Sequence, residues 1–236
     1  MTINKNEKII ARILSITIII YAFFGNVHYC CFNENFYTKE HEKITLYGKP
    51  INEHIGITKE ELKELTSFTL HYLNDTKATL DKKMNINGVE REVFTDDEKA
   101  HMVDVRNLNL NSVYLCIVSF IVFVTCFLVY LYKKGSLNNL YRNYKYTLLN
   151  VLIIFGIIGF WVLVDFNSFW TLFHKIFFTG NDLWILDLRK DILIMIVPPE
   201  FFNHLVIRII INFIANIFIF GLLLLVFSRK KKASND

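Results

Sequence analysis

Two histidines carry the chemistry that this chain could perform. His101 stands in Glu98-Lys-Ala-His101-Met-Val-Asp104-Val-Arg106, and His174 in Phe169-Trp170-Thr-Leu-Phe173-His174-Lys-Ile-Phe177-Phe178. On a helix, Glu98, His101 and Asp104 are spaced three apart and share a face. A carboxylate beside an imidazole selects its tautomer and raises its basicity, which suits a general base. The other reading of this segment is a solvated helix face with an incidental histidine. His174 is embedded in aromatic residues, where an ionisable ring is costly and implies a partner or a purpose. Its other reading is an interfacial histidine whose polar edge reaches water, as Trp and Tyr edges do. A third polar set, His28, Asp165, His204 and Arg208, falls near the ends of apolar runs. Arg208 there needs a carboxylate, with Asp165 as the structural choice, or a lipid or substrate head group.

Signatures of other chemistries do not occur. The chain has no Gly-x-Ser-x-Gly elbow, phosphate-binding loop, His-Glu-x-x-His or Cys-x-x-Cys. Cys30, Cys31, Cys116 and Cys126 all lie in or beside apolar runs and read as small hydrophobes rather than a disulfide framework. Zinc held by His101, His174 and nearby carboxylates fits the residue types, but nothing in the spacing favours it. No metal and no cofactor is expected.

The elements that must position the histidines are set by hydropathy. Of 236 residues, 53% are apolar, and the formal charge of +4 leaves no basic field for nucleic acid. A bilayer core about 30 Å thick needs about 20 apolar residues in a helix. Four segments qualify, near residues 9–31, 113–132, 147–166 and 204–228, and all are apolar all round, as lipid-embedded helices are. Basic residues gather in three short flanks: Lys5, Lys8 and Arg12; Lys133, Lys134, Arg142 and Lys145; and residues 229–232, against which only Glu7 and Asp236 are acidic. The positive-inside rule then puts both termini in the cytoplasm and both histidine segments outside. The first span lacks a small-residue cleavage site and is expected to be retained.

The expected organisation is a cytoplasmic N-terminus and first span (1–31) followed by an extracytoplasmic α+β domain (32–111). Two spans with a basic turn (112–166), an interfacial outer loop (167–203), and a last span with a basic tail (204–236) complete it. Within the outer domain, Ile44-Thr45-Leu46-Tyr47 reads as extended, and Thr58-Lys-Glu-Glu61 is a capping box that opens a helix to about Asp75. Asn87-Gly88 predicts a hairpin turn between strands over 84–86 and 89–93. Thr95-Asp-Asp-Glu98 is a second capping box, whose helix could continue into the second span. In the outer loop, the stretch 169–178 is too short to cross and too aromatic to be solvated, so it reads as an interfacial or re-entrant helix. A turn at 179–182 and a second apolar run over 192–197 follow.

Taken together, Glu98-x-x-His101-Met-x-Asp104-Val-Arg106 before the second span, Phe173-His174-x-x-Phe177-Phe178 with Trp184, Asp191-x-Leu193-Ile194, Pro198 or Pro199 with Phe201-Phe202, and Asn33-x-x-Phe36-Tyr37 resemble one bacterial family. It is the integral membrane family of the lipoprotein intramolecular transacylases, Lit. The resemblance extends over nearly the whole chain. It implies an α-helical membrane protein with four spans that acts on diacylated lipoproteins. One acyl chain moves from the middle glycerol oxygen to the α-amine of the lipidated N-terminal cysteine, leaving a lyso-form lipoprotein. The catalytic pair it implies is His101 and His174. Glu98, Asp104 and Arg106 are expected to support that pair. Asn33, Tyr37, Phe173, Phe177, Trp184 and Arg208 are expected to hold substrate. Membrane lipids are the other expected partners. A non-catalytic membrane sensor or assembly protein, binding through its outer domain, is the alternative.

Overall fold

The computed structural model describes residues 5–233, with side chains as far as Lys230. Residues 1–4, the side chains of Lys231 and Lys232, and Asp236, on which part of the orientation argument rests, lie outside the described residues. Four helices are long and apolar enough to cross a membrane: α1 (Lys5–Cys31), α5 (Asp96–Tyr132), α6 (Leu137–Val164) and α9 (Pro199–Ala233). Each expected span lies within one of these apart from two residues: α6 ends at Val164 rather than 166 because Asp165 opens the next helix as its N-cap. Helices α6 and α9 begin well before their apolar stretches, and α5 runs unbroken from the second capping box to the end of the second span.

The chain divides into two units. The first holds residues 5–28, Ser112–Leu163 and residues 207–233. Its interior is thin. Ala11, Leu14, Tyr130 and Leu140 form one buried cluster, and Ile19, Tyr144, Phe213 and Ile217 another. Outward-facing side chains stay large and apolar, as Ile157 (66% exposed), Phe160 (70%) and Leu163 (71%) show, a surface suited to lipid rather than water. Where backbone polar groups appear, side chains meet them. Asn26 donates to the Ile209 carbonyl at 2.8 Å, and Glu7 Oε1 accepts the Ser136 N–H at 2.9 Å and the Asn139 amide at 3.2 Å.

The second unit, Tyr29–Asn111 with Val164–Val206, carries the short elements. They are α2 (Glu34–Lys43), the strands β1 (Thr45–Leu46) and β2 (Lys49–Pro50), α3 (Ile51–Ile55), α4 (Lys59–Asn74), β3 (Lys83–Ile86), β4 (Val89–Glu92), α7 (Phe166–Phe177) and α8 (Ile192–Ile196). Both strand pairs are antiparallel hairpins with two-residue turns, Tyr47-Gly48 (φ 49° and 78°) and Asn87-Gly88 (φ 53° and 86°). Two successive positive φ angles match the twist of the strands they join. The Thr58 capping box forms as expected, and α4 buries Leu62, Leu65, Leu70 and Tyr72 on one face. Leu73 of the same helix is only half-buried. The short extended run around residue 45 is thus half of a hairpin. Helix α2 was not expected from the sequence; it begins where Asn33 Oδ1 accepts the Phe36 N–H at 3.0 Å. The aromatic stretch forms α7, which at 12 residues is about 18 Å long and too short to cross.

Candidate active site

His101 is set by the start of α5. Glu98 N–H donates to Thr95 Oγ1 at 3.3 Å, and Thr95 N–H donates to Glu98 Oε2 at 2.7 Å, closing the box that begins the helix. Glu98 has a second task. Its Oε1 accepts the Leu193 N–H at 2.7 Å, satisfying a first-turn donor of α8. The carboxylate is fully buried, and burial pushes its pKa above the usual range against the pull of the two backbone N–H groups. Glu98 therefore positions the backbone around His101, and its oxygens are occupied by N–H groups rather than by the ring.

His174 is set by α7, capped by Asp165 Oδ1, which accepts the Ser168 N–H at 3.0 Å. Along the helix the rings of Phe166, Trp170 and Phe173 stack in sequence, Phe177 packs tilted against Phe173, and Trp170 also lies 4.4 Å from Phe202. His174 Nδ1 is 2.7 Å from the Trp170 carbonyl. A carbonyl oxygen only accepts, so Nδ1 carries the proton and the lone pair of the neutral ring sits on Nε2.

The two imidazoles, 73 residues apart in sequence, face each other with ring centroids 6.2 Å apart and planes at 29°. His101 is 7% exposed and His174 6%. Phe178 wedges against both rings at 5.1 and 5.4 Å, and Trp184 covers His174 at 4.9 Å. Burial, then the nearby His174, brings His101 down to about 4, with Asp104 opposing. Burial also lowers His174, partly offset by the Trp170 carbonyl. Both rings are thus neutral near pH 7. His101 Nδ1 is buried with no hydrogen-bond partner among the described residues. A buried polar atom left unpaired is costly and uncommon in stable structure.

The remaining expected residues divide. Phe173 packs against His174 at 5.6 Å, while Phe177 extends the aromatic row and is half-exposed. Asp104 accepts a hydrogen bond from the Asn181 side chain at 3.1 Å. Arg106 turns elsewhere, donating to the Ala78 carbonyl at 3.1 Å and lying 4.4 Å over the Tyr72 ring. Asn33 caps α2, and Tyr37 donates to the Cys31 carbonyl at 2.8 Å while packing 4.7 Å from Phe201. Arg208 belongs to the helical unit, and Asp165 is engaged as the cap of α7. Sequence reasoning missed the roles of Trp170, Phe178 and Asn181. It also missed the buried Glu40, whose Oε2 lies 2.6 Å from His204 Nδ1 and whose Oε1 accepts from Lys43 at 2.8 Å. An acid in the short helix α2 gives no signal that a histidine 164 residues later will meet it. Among the described residues, no three or more His, Cys, Asp or Glu side chains stand close enough together to hold a metal ion.

Four helices long and apolar enough to cross a membrane define an integral membrane protein, and its second unit holds two buried, facing imidazoles, one of them borne by the short aromatic helix α7. The chain belongs to the family of lipoprotein intramolecular transacylases, Lit, whose model matches residues 12–202. Its fold is that of the membrane integral lipoprotein intramolecular transacylase Lit from Bacillus cereus, at a TM-score of 0.77 and 21% identity over 97% of this chain and 98% of that one. Two variants of the Bacillus cereus protein, each with one histidine replaced, share it too. The arginine variant gives a TM-score of 0.71 at 22% identity, over 98% of this chain and 95% of that one. The alanine variant gives 0.72 at 20% identity, over 96% of each chain. No curated relative matches the chain.

Proposed function

We propose that His101 and His174 catalyse an intramolecular O-to-N acyl transfer on diacylated lipoproteins, at the outer face of a bacterial cell membrane. The observation that carries this reading is the meeting of two neutral imidazoles from separate segments at 6.2 Å within a cluster of aromatic rings. An outer-face site with both termini in the cytoplasm agrees with the basic flanks around Lys5, Lys133 and Arg229.

The substrate α-amine has an ordinary pKa near 8 and is mostly protonated at neutral pH, so it must lose a proton before it can attack. That first proton goes to water, and a second N–H proton, made acidic as the nitrogen bonds to carbon, passes to His174 Nε2, whose lone pair is fixed by the Nδ1 bond to Trp170. The amine nitrogen attacks the ester carbonyl carbon, forming the C–N bond. Negative charge gathers on the carbonyl oxygen, where a neutral His101 N–H donates. The C–O bond to glycerol breaks, and the proton held by His174 passes to the departing oxygen. Ester-to-amide exchange runs downhill and needs no nucleotide. Because amine and ester belong to one molecule, orientation supplies much of the rate, up to about 7–11 kcal/mol. Phe173, Phe177 and Trp184 offer apolar surface for the acyl chains.

The test is expression in a host whose lipoproteins are diacylated, with mass spectrometry of the lipidated N-terminal peptide. The wild-type chain converts it to the N-acyl, S-monoacylglyceryl form. His174→Ala and His101→Ala each lower conversion by about 10²-fold or more at equal membrane insertion. An unchanged lipopeptide from well-inserted wild-type protein overturns the reading.

A further inference from the structure

Both imidazoles lie closed beneath other side chains, so a substrate with two acyl chains needs a way in. Resting on the function proposed above, the geometry points to Asn181 as a gating residue: it latches a strap, residues 178–184, over the histidine pair. The strap contributes two rings that cover the site, Phe178 against both imidazoles and Trp184 against His174. It follows the end of α7 and contains no regular helix or strand. Gly180, at φ 100°, adopts a conformation that side chains disfavour, and a Cβ there would meet nothing within 4 Å. The next residue, Ile185, is 64% exposed.

Within the strap, Asn181 Oδ1 accepts the Leu183 N–H at 3.2 Å and shapes the turn. Across to α5, its Nδ2 donates to Asp104 Oδ2 at 3.1 Å, one helical turn beyond His101. The latch is a charge-assisted hydrogen bond, strong enough to hold the strap and weak enough to open on a catalytic timescale. Opening would lift Trp184 and Phe178 together and bare both imidazoles, and closing after entry would exclude water from the ester.

Carbethoxylation of histidines by diethylpyrocarbonate, read by peptide mass spectrometry on the full-length protein in detergent, measures this directly. The exposed His71 serves as an internal reference. Asn181→Ala removes the latch, and His101 and His174 are expected to react about tenfold faster relative to His71, the weight of one hydrogen bond to a carboxylate. Asn181→Asp, which places a second carboxylate against Asp104, gives the same increase if the latch is the control. Unchanged relative rates in both variants overturn the gate. An equal acceleration at the partly buried His41, which lies outside the strap, also overturns it, because that reports unfolding. Faster histidine labelling with no lipopeptide conversion by any form keeps the gate and sinks the proposed substrate instead.

Discussion

In the proposed reaction, His174 and His101 divide the acid–base work by their surroundings rather than by their chemistry. The Trp170 carbonyl fixes one tautomer on His174, while His101 keeps an unpaired nitrogen and a pKa near 4. A general base that is already neutral adds no ionisation limb at pH 6.5, so kcat/KM is expected to climb through pH 7–8 with the substrate amine. A rate profile with its only limb near 6.5 would contradict this. Stability carries the opposite mark. The folded pKa of His101 lies below its ordinary 6.5, so the unfolded chain takes up the proton first. The ring leaves stability unaffected above about pH 6.5 and weakens the fold as pH falls from there to about 4, by about 2–3 kcal/mol. His101→Gln should therefore show a smaller loss of Tm between pH 7 and 4.5 than the wild-type chain.

Among the elements, α5 and α8 are joined through one carboxylate. Glu98 closes the capping box that starts α5 and accepts from the first turn of α8, so the helix bearing His101 and the chain downstream of His174 share a fixed point. Glu98→Ala opens the capping box at the exposed Thr95 and leaves the Leu193 N–H buried and unpaired, a loss of about 2–3 kcal/mol. Glu98→Gln retains one acceptor oxygen and is expected to lose about half as much. Thermal unfolding of the two purified variants separates these values. Helix α7 depends instead on its stacked rings, and it needs both Asp165 at its N-terminus and an apolar face that other side chains cover, as its length alone would leave it marginal.

For the molecule as a whole, the prediction concerns orientation. With the four native cysteines replaced by serine, a single cysteine at the exposed tip residue Tyr47 should react with an impermeant maleimide on intact cells. One at Lys134, in the turn between α5 and α6, should react only after lysis. The reverse pattern would put the histidine pair on the cytoplasmic side and exclude lipoproteins there as substrates. Long apolar helices, both hairpin turns and both capping boxes were legible in the sequence because each is a local matter: bilayer thickness sets span length, and positive φ or an orphan N–H selects a residue type within a few positions. The two histidines were legible as candidates, and their family pattern named them as a pair. What only the tertiary structure decided was the use made of the polar groups around them. Glu98 turned from the ring to the Leu193 backbone, Arg106 to the Ala78 carbonyl, Asp104 to Asn181, and Glu40 found His204. Sequence spacing puts a side chain on a face, but its hydrogen-bond partner is whichever buried group the fold brings within about 3 Å, and that depends on chain far away.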